Sequence, residues 1–430
     1  MNHITDLCNF LDSSPVNFWA VDSARRILEV AGFTPLDPRE EWHLQPGDRR
    51  YVMQNGSAIF AFVAGESGTA PFDIIAAHSD SPGFRLKPHC EMACEGGAVK
   101  LNTEVYGGPI LYTWFDRPLS IAGRVALVGT DVLRPDIRLL RIDRPLMVIP
   151  HLAIHFNRAV NEGNKLSKQK DMLPVAALEC GDPKHLVRRL AAEALDVDPD
   201  MVLDYDLSLY TCQPAATAGL DNEMICSGRL DDLSMVHAGL TALVDAADTS
   251  SRHTRVLAVF DNEETGSGTK QGAHSPVLRD ILRRVCFCLG GDESDFLRAV
   301  AGSFLISADN AHGYHPNYGE KYDPTNHPVL GGGPVIKVNA NCKYMTDADS
   351  AAAFRSLCEV ADVPCQSFVN HSDSAGGSTL GNILTGQMAL RGVDMGAPVW
   401  AMHSACETAS TLDHIYTIKA FTAFYGLYPA

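Results

Sequence analysis

Short apolar runs in this chain of 430 residues repeatedly end at a side chain that can bind a metal or move a proton. Four runs end this way, and a carboxylate pair opens a predicted helix. The groups concerned are His78-Ser-Asp80, Asp261-Asn-Glu263-Glu264, Asp309-Asn-Ala-His312, His403 and the pair Asp231-Asp232. Ligands bind at the carboxyl ends of strands in open α/β sheets, so we expect these side chains to share one site. Imidazoles together with several carboxylates suit zinc or a similar divalent metal.

Composition excludes several other classes of protein. The net charge of −17 argues against a nucleic-acid partner held by phosphate contacts. No apolar run approaches the length of a membrane span, so no membrane partner is expected. Residues 1–18 lack a basic region and are predicted to form the first helix of the fold. The cysteines form no paired CxxC motif, which argues against a zinc ribbon. We expect reduced thiols and a cytoplasmic location.

Strand and helix patterns alternate in residues 1–86 and 229–430, whereas residues 87–228 are mainly β-like in pattern. We therefore predict an α/β fold whose first domain is discontinuous and receives a β-rich insertion. Within the first domain, Tyr51–Ala64 is predicted to form a hairpin that turns at Asn55-Gly56. Pro71–Ala77 is predicted as a buried strand, and Leu233–Ala247 as an amphipathic helix.

Asp261-Asn-Glu263-Glu264 is the most specific of the strand-end groups. Two adjacent glutamates are costly to bury without partners, and a metal offsets that cost for one of them. The other glutamate could then act as general base on a metal-bound water. An exposed acidic turn is the structural alternative.

Each remaining motif also has a structural explanation. Asp231 could bridge two metals or simply cap a helix. Asp80 could hold the ring of His78 through its second nitrogen, or both could belong to a solvated loop. A lone histidine such as His403 is more often a satisfied surface or core residue. His371-Ser-Asp373 repeats the tripeptide of His78, but it runs into glycines, so we assign it to a substrate loop.

Taken together, the motifs resemble those of the aspartyl aminopeptidases, a family of co-catalytic zinc exopeptidases. The resemblance spans nearly the whole chain in order, and the combination of motifs is specific although no single motif is. The matching segments are His78-Ser-Asp-Ser-Pro, Pro150-His151-Leu-Ala-Ile-His155, Arg229-Leu-Asp231, Asp261-Asn-Glu-Glu-Thr-Gly-Ser, Ser307-Ala-Asp309-Asn-Ala-His312 with His315-Pro-Asn-Tyr, and Met402-His403-Ser.

The resemblance implies a mixed-sheet α/β/α zinc-exopeptidase domain with an inserted oligomerisation domain. It also implies two Zn²⁺ ions per subunit, with Mn²⁺ or Co²⁺ as substitutes. The implied roles are zinc binding by His78 and Asp309 at one metal and by Glu264 and His403 at the other, bridging by Asp231, general base action by Glu263, orientation of His78 by Asp80, and substrate contact by His155, His312 and Lys337.

By the same resemblance, the expected activity is removal of N-terminal residues, acidic ones above all, from peptides with a free N-terminus. The expected assembly is a tetrahedral homo-dodecamer, in which the position of His155 can reach in from a neighbouring subunit. Three alternatives stay open at this point: an aminopeptidase of neutral or broad specificity, a dimetal amidohydrolase or deacylase of small acylated amino acids, and a shell-forming protein without turnover.

Overall fold

The computed structural model describes residues 2–180 and 182–430. The helices are α1 His3–Ser13, α2 Asn17–Val30, α3 Leu186–Leu195, α4 Leu230–Ala246, α5 Val277–Cys288, α6 Glu293–Gly302, α7 Ala348–Val360, α8 Leu380–Leu384 and α9 Thr411–Tyr425. The strands are β1 Thr34–Pro35, β2 Arg49–Gln54, β3 Ala58–Val63, β4 Phe72–His78, β5 Gly83–Ala93, β6 Val99–Tyr106, β7 Leu119–Asp131, β8 Arg134–Arg141, β9 Val175–Ala177, β10 Val202–Thr211, β11 Ala216–Ala218, β12 Met224–Ser227, β13 Thr254–Phe260, β14 Phe304–Ala308, β15 Ala311–His312, β16 Val335–Lys337, β17 Gln366–Phe368, β18 Arg391–Gly396, β19 Pro398–Trp400 and β20 Glu407–Ser410.

The described chain divides into two compact units. The first comprises the chain up to Asp80 together with Ala215–Met402 and Glu407–Ala430. The second comprises Ser81–Pro214 and the short segment His403–Cys406. Among the described residues, no helix combines the length and apolar character needed to cross a bilayer.

The first unit is built on a nine-stranded mixed sheet in the order β1-β2-β3-β13-β4-β14-β18-β16-β17. Alternate side chains of β4 enter two separate cores, because successive residues of a strand point to opposite faces. Ile75 and Ala77 pack with α1, α2, α4, α7 and α9, whereas Ile74 and Ala76 pack with α5, α6 and α8. The α/β fold with helices on both faces of a mixed sheet is therefore confirmed. A five-stranded sheet, β11-β12-β20-β19-β15, belongs to the same unit.

Three parallel neighbours at the centre of this sheet position the chemistry. β4 lies between β13 and β14 and runs parallel to both. Their carboxyl ends therefore meet at one edge, where His78 ends β4, Asp261 follows β13 and Asp309 follows β14. This arrangement is the one expected from the apolar runs.

The second unit is a β-rich fold around one core. A six-stranded sheet, β8-β7-β10-β5-β6-β9, is antiparallel between all paired neighbours. Its apolar face packs with α3, whose Val187, Ala191 and Ala192 join that core. The second unit is therefore predominantly β in structure.

The predicted hairpin is present, whereas the helix predicted after Asp231 differs in character. β2 and β3 pair from Arg49↔Val63 to Gln54↔Ala58, with Asn55 and Gly56 both at positive φ, as a tight two-residue turn requires. α4 begins at Leu230 and is buried around almost its whole circumference, so the amphipathic interpretation was wrong. The helix lies between the sheet and α1, α2 and α9, which leaves only its last turns in contact with solvent.

A pair of buried histidines joins α4 to α9. His237 Nδ1 lies 3.0 Å from His414 Nε2, so the two rings can share one hydrogen bond as long as one of these nitrogens carries no proton. Burial, with a smaller contribution from His3, lowers the pKa of His237 to about 4. Burial likewise lowers the pKa of His414 well below its usual value.

Acid should therefore destabilise the fold through this pair. Between pH 6.5 and 4 the unfolded state binds protons that folded His237 does not, so stability present above pH 6.5 is lost as the pH falls. At pH 5 the loss from His237 alone is about 2 kcal/mol. Urea unfolding at pH 7.5 and pH 5 measures it, with His237→Phe as the control that retains a ring. An equal loss in the wild type and the variant would contradict the assignment.

Candidate active site

Four polar side chains converge from the ends of β4 and β14 and the start of α4. His78, Asp231, Asp232 and Asp309 are all buried, and each offers a ligand atom within 4.8 Å of the others. His78 Nε2 lies 3.6 Å from Asp231 Oδ1 and 4.0 Å from Asp232 Oδ2. Nε2 is therefore the ring nitrogen of His78 that faces the carboxylates.

The two glutamates after β13 complete a second group with the same histidine. His78, Glu263 and Glu264 also offer ligand atoms within 4.8 Å of one another. Both glutamates lie in a short 3₁₀ turn, Glu263–Thr265, which follows Asn262 in a left-handed conformation with φ of 61°. The left-handed residue turns the chain after β13, and both glutamates come within reach of His78.

Asp80 connects the two strand ends. Its carboxylate accepts hydrogen bonds from the backbone N–H of Glu263, at 3.1 Å, and of Glu264, at 3.2 Å. On the other side, its carbonyl oxygen lies 3.0 Å from His78 Nδ1 and its Oδ1 lies 3.4 Å from the same nitrogen. Asp80 therefore contacts the ring of His78, as expected, and also holds the backbone of both glutamates, which was not foreseen.

Two further carboxylates support the group without having been assigned a role from the sequence. Asp232 Oδ2 accepts the backbone N–H of His78 at 3.0 Å, and Glu407 Oε2 accepts that of Asp231 at 3.0 Å. Asp232 Oδ1 is buried and has no hydrogen-bond partner among the described residues. The only sequence signal for Asp232 was its adjacency to Asp231, and Glu407 carried none beyond its nearness to His403.

The electrostatics of the group are those of crowded, buried carboxylates. Burial raises the pKa of Glu263 to about 9, against the opposing effect of His78, and Asp309, Glu264 and Asp80 add to the rise. Burial opposes protonation of His78, but the carboxylates of Asp232, Asp231 and Asp80 outweigh it and raise the pKa of the imidazole well above 6.5. Burial also raises the pKa of Asp309, although Lys337 lowers it.

These observations fit a metal. Several carboxylates buried together are unfavourable unless a cation neutralises them, and the unpartnered oxygen of Asp232 adds to that cost. One imidazole with neighbouring carboxylates is also a donor set that zinc accepts. The residues of this site therefore suit a divalent ion of the zinc type.

The remaining predicted residues lie in different settings. Lys337, at the end of β16, is buried, and its Nζ lies 3.6 Å from Asp309 Oδ1. His312 is exposed in β15, with its ring 5.7 Å from that of Phe368. His155 and His403 belong to the second unit; His155 is exposed in the turn Ile154–Phe156.

His403 and His371 have well-defined local geometry. His403 has a φ of 70°, and its Nδ1 lies 3.1 Å from the carbonyl oxygen of Gly108 in the same unit. The half-buried His371 accepts the backbone N–H of Asp373 at 3.2 Å on its Nδ1, which is a local turn contact. That contact is compatible with the loop assignment made from the sequence.

The model of one peptidase family, "Aminopeptidase I zinc metalloprotease (M18)", matches residues 10–425. The chain belongs to this family. A curated relative from Clostridium novyi (strain NT), "Probable M18 family aminopeptidase 2", is 48% identical over 429 residues, which cover 98% of each chain. As an M18 zinc aminopeptidase, the protein is a hydrolase, and the resemblance drawn from its motifs is confirmed.

Solved structures show the same fold. The chain matches a structure of an Ape4 and Nbr1 complex at 35% identity with a TM-score of 0.94, covering 99% of this chain and 85% of the other. It also matches the mApe1 dodecamer of S. cerevisiae at 24% identity with a TM-score of 0.87, covering 98% and 96%. At that lower identity the likeness concerns the fold alone.

Proposed function

We propose that this M18 enzyme removes N-terminal Asp or Glu from peptides with two zinc ions per subunit, for which Mn²⁺ or Co²⁺ can substitute. In this proposal one zinc is held by His78 and Asp309, the other by Glu264 and His403, and both by Asp231. The supporting observation is the convergence of His78, Asp231, Asp309 and the glutamate pair at one edge of the central sheet. The contact between His403 Nδ1 and Gly108 leaves Nε2 as its ligand atom.

Zinc, when bound, lowers the pKa of a coordinated water and polarises the substrate carbonyl. Glu263 is the residue that takes a proton from the attacking water and gives it to the leaving amine nitrogen. In the metal-free protein burial raises the pKa of Glu263 to about 9. The charge of a neighbouring zinc would lower that pKa, so that Glu263 would be ionised and able to accept the proton. Asp80 accepts hydrogen bonds from the backbone N–H groups of Glu263 and Glu264. These bonds fix the position of the base, Glu263, relative to the proposed ligand Glu264.

The preference for acidic residues requires a positive group near the first side chain of the substrate. His312 is exposed in β15, and His155 is exposed in the second unit, where the resemblance assigns it to substrate contact. A carboxylate on the substrate would gain a charge-assisted hydrogen bond from a ring N–H of either histidine. The resemblance assigns the same role to Lys337.

The specificity test compares turnover of Asp-, Glu- and Leu-anilides at one zinc concentration. We expect kcat/KM for the acidic substrates to exceed that for Leu-anilide by at least about tenfold, the equivalent of one charge-assisted hydrogen bond. N-acetyl-Asp-anilide is the control for the free amine and should not be hydrolysed. A preference for the Leu substrate would contradict acidic specificity, and release of acetate from the acetylated control would indicate a deacylase.

We also propose a cytoplasmic homo-dodecamer. In this proposal residues 1–86 and 229–430 form the catalytic domain, and residues 87–228 form an inserted domain that makes the contacts between subunits. All twelve cysteines are free thiols, which suits a reducing compartment. In the second unit Leu152, Ile154 and Phe156 are exposed by 57%, 51% and 81%, as contact residues would be in an isolated subunit. The dodecamer known for S. cerevisiae mApe1 supports the same assembly. Sedimentation analysis of the purified protein tests it.

A further inference from the structure

Lys337 is a buried cation at the edge of the candidate metal group. It ends β16, a strand paired on one side with β17 and on the other with β18, whose neighbour β14 leads to Asp309. Only 2% of Lys337 is exposed. A lysine in such a place must find its partners inside the protein, because an unpaired buried charge is strongly unfavourable.

The partners of this ammonium group belong to the segment that carries Asp309. Nζ donates to the carbonyl oxygen of Asp309 at 2.7 Å and to that of Asn310 at 3.3 Å. It lies 3.6 Å from the carboxylate of Asp309, and 5.4 Å from the ring centroid of Tyr344. Two carbonyls, one carboxylate and one aromatic face therefore surround the charge.

The same segment is fixed on its other side by β18 and the residues after it. The backbone N–H of Asp309 donates to the carbonyl oxygen of Met395 at 2.9 Å, and the amide side chain of Asn310 donates to the carbonyl oxygen of Ala397 at 2.9 Å. A Cβ at Gly396 would come within 1.9 Å of the carbonyl oxygen of Asp309, so the two backbones touch there. Ser234 Oγ donates to Asn310 Oδ1 at 3.0 Å, and Lys337 adds a further constraint through the carbonyl oxygens of Asp309 and Asn310.

We propose that Lys337 is a positioning residue for the metal ligand Asp309: it fixes the turn after β14 and aims the carboxylate at the zinc. This inference rests on the proposed function and deepens it. It differs from the role implied by the resemblance, in which Lys337 contacts the acidic side chain of the substrate. An ammonium group that is hydrogen-bonded to Asp309 and Asn310 affects zinc binding. It therefore affects the hydrolysis of acidic and neutral substrates equally.

The test is zinc affinity, measured by competition with a chelator, in Lys337→Met and Lys337→Gln. Loss of a group that orients a metal ligand typically weakens metal binding by about 10- to 100-fold. We expect that loss at one zinc per subunit in Lys337→Met, and a smaller loss in Lys337→Gln, whose amide keeps a donor without the charge. Lys343→Met, at an exposed lysine close by in the sequence, is the matched control and should bind zinc as the wild type does.

Enzyme kinetics separate positioning from substrate contact and from a general loss of structure. With excess zinc, kcat of Lys337→Met should recover toward the wild-type value, while the ratio of kcat/KM for Asp- and Leu-anilide stays unchanged. Zinc affinity within twofold of the wild type would overturn the proposal, as would a lost acidic preference at saturating zinc. If Lys337→Met fails to fold, Lys337→Gln is judged by the same two criteria. The chelator titration needs no turnover, so it decides the role of Lys337 even if the proposed specificity fails.

Discussion

Glu263→Gln is expected to lower kcat by about 10²–10⁴-fold, the usual contribution of a positioned general acid–base group. The amide has the same shape as the carboxylate but cannot accept the proton of the attacking water. The backbone N–H of residue 263 remains free to bond to Asp80, so the turn that carries Glu264 should keep its geometry. Zinc content measured by metal analysis and assembly measured by sedimentation should therefore match the wild type.

Two further variants separate loss of the base from loss of the metal. Glu264→Gln replaces a proposed ligand, so it should lower zinc content as well as activity. Glu66→Gln, at an exposed site, should change neither. Activity of Glu263→Gln within a few-fold of the wild type, at full zinc occupancy, would reject Glu263 as the base.

Much of this site could be predicted because it depends on short-range pattern. Apolar runs that end in a histidine or a carboxylate identify strand ends, and parallel neighbours bring those ends to one edge. His78 and Asp309 needed no more than that, since β4 and β14 are adjacent and parallel. The hairpin at Asn55-Gly56 was equally local, because both residues readily adopt positive φ.

The contacts that could not be predicted join residues far apart in the chain. Asp80 binds the N–H of Glu263 across 183 positions, and Glu407 binds that of Asp231 across 176. No local pattern specifies such a pair. The burial of α4 was missed for a related reason. Its polar residues Asp231, Asp232 and His237 are buried because they contact specific partners from distant parts of the chain. Hydrophobic periodicity assigns such residues to a solvent face.

Removal of zinc with a chelator is expected to abolish hydrolysis, and addition of zinc should restore it. Without the ions, the carboxylates buried together at the site repel one another more strongly, so the folded state should also lose stability. The loss is about 4 kcal/mol when free zinc had been at 1,000 times its Kd. A lower midpoint of thermal unfolding after chelation, reversed by zinc, measures this effect.

Zinc affinity should also rise with pH, and the sign follows from the groups that must give up protons. In the protein without metal, His78 has a raised pKa because the neighbouring carboxylates outweigh the effect of burial, and Glu263 has a pKa raised to about 9 chiefly by burial. Zinc binds deprotonated ligands and disfavours a proton on a carboxyl beside them, so binding releases protons whenever the pH is below these values. Affinity should therefore weaken as the pH falls from 8.5 to 6.5.

Titration calorimetry at both pH values, in two buffers of different ionisation enthalpy, measures the affinity and counts the protons released. In Glu263→Gln the count at pH 7.5 should fall, because one of the groups that holds a proton in the metal-free protein is gone. A binding constant independent of pH, with no proton release in either buffer, would show that the carboxylates are not crowded as described. It would also remove the evidence that the carboxylates repel one another, because crowded buried carboxylates bind protons more tightly in the absence of metal.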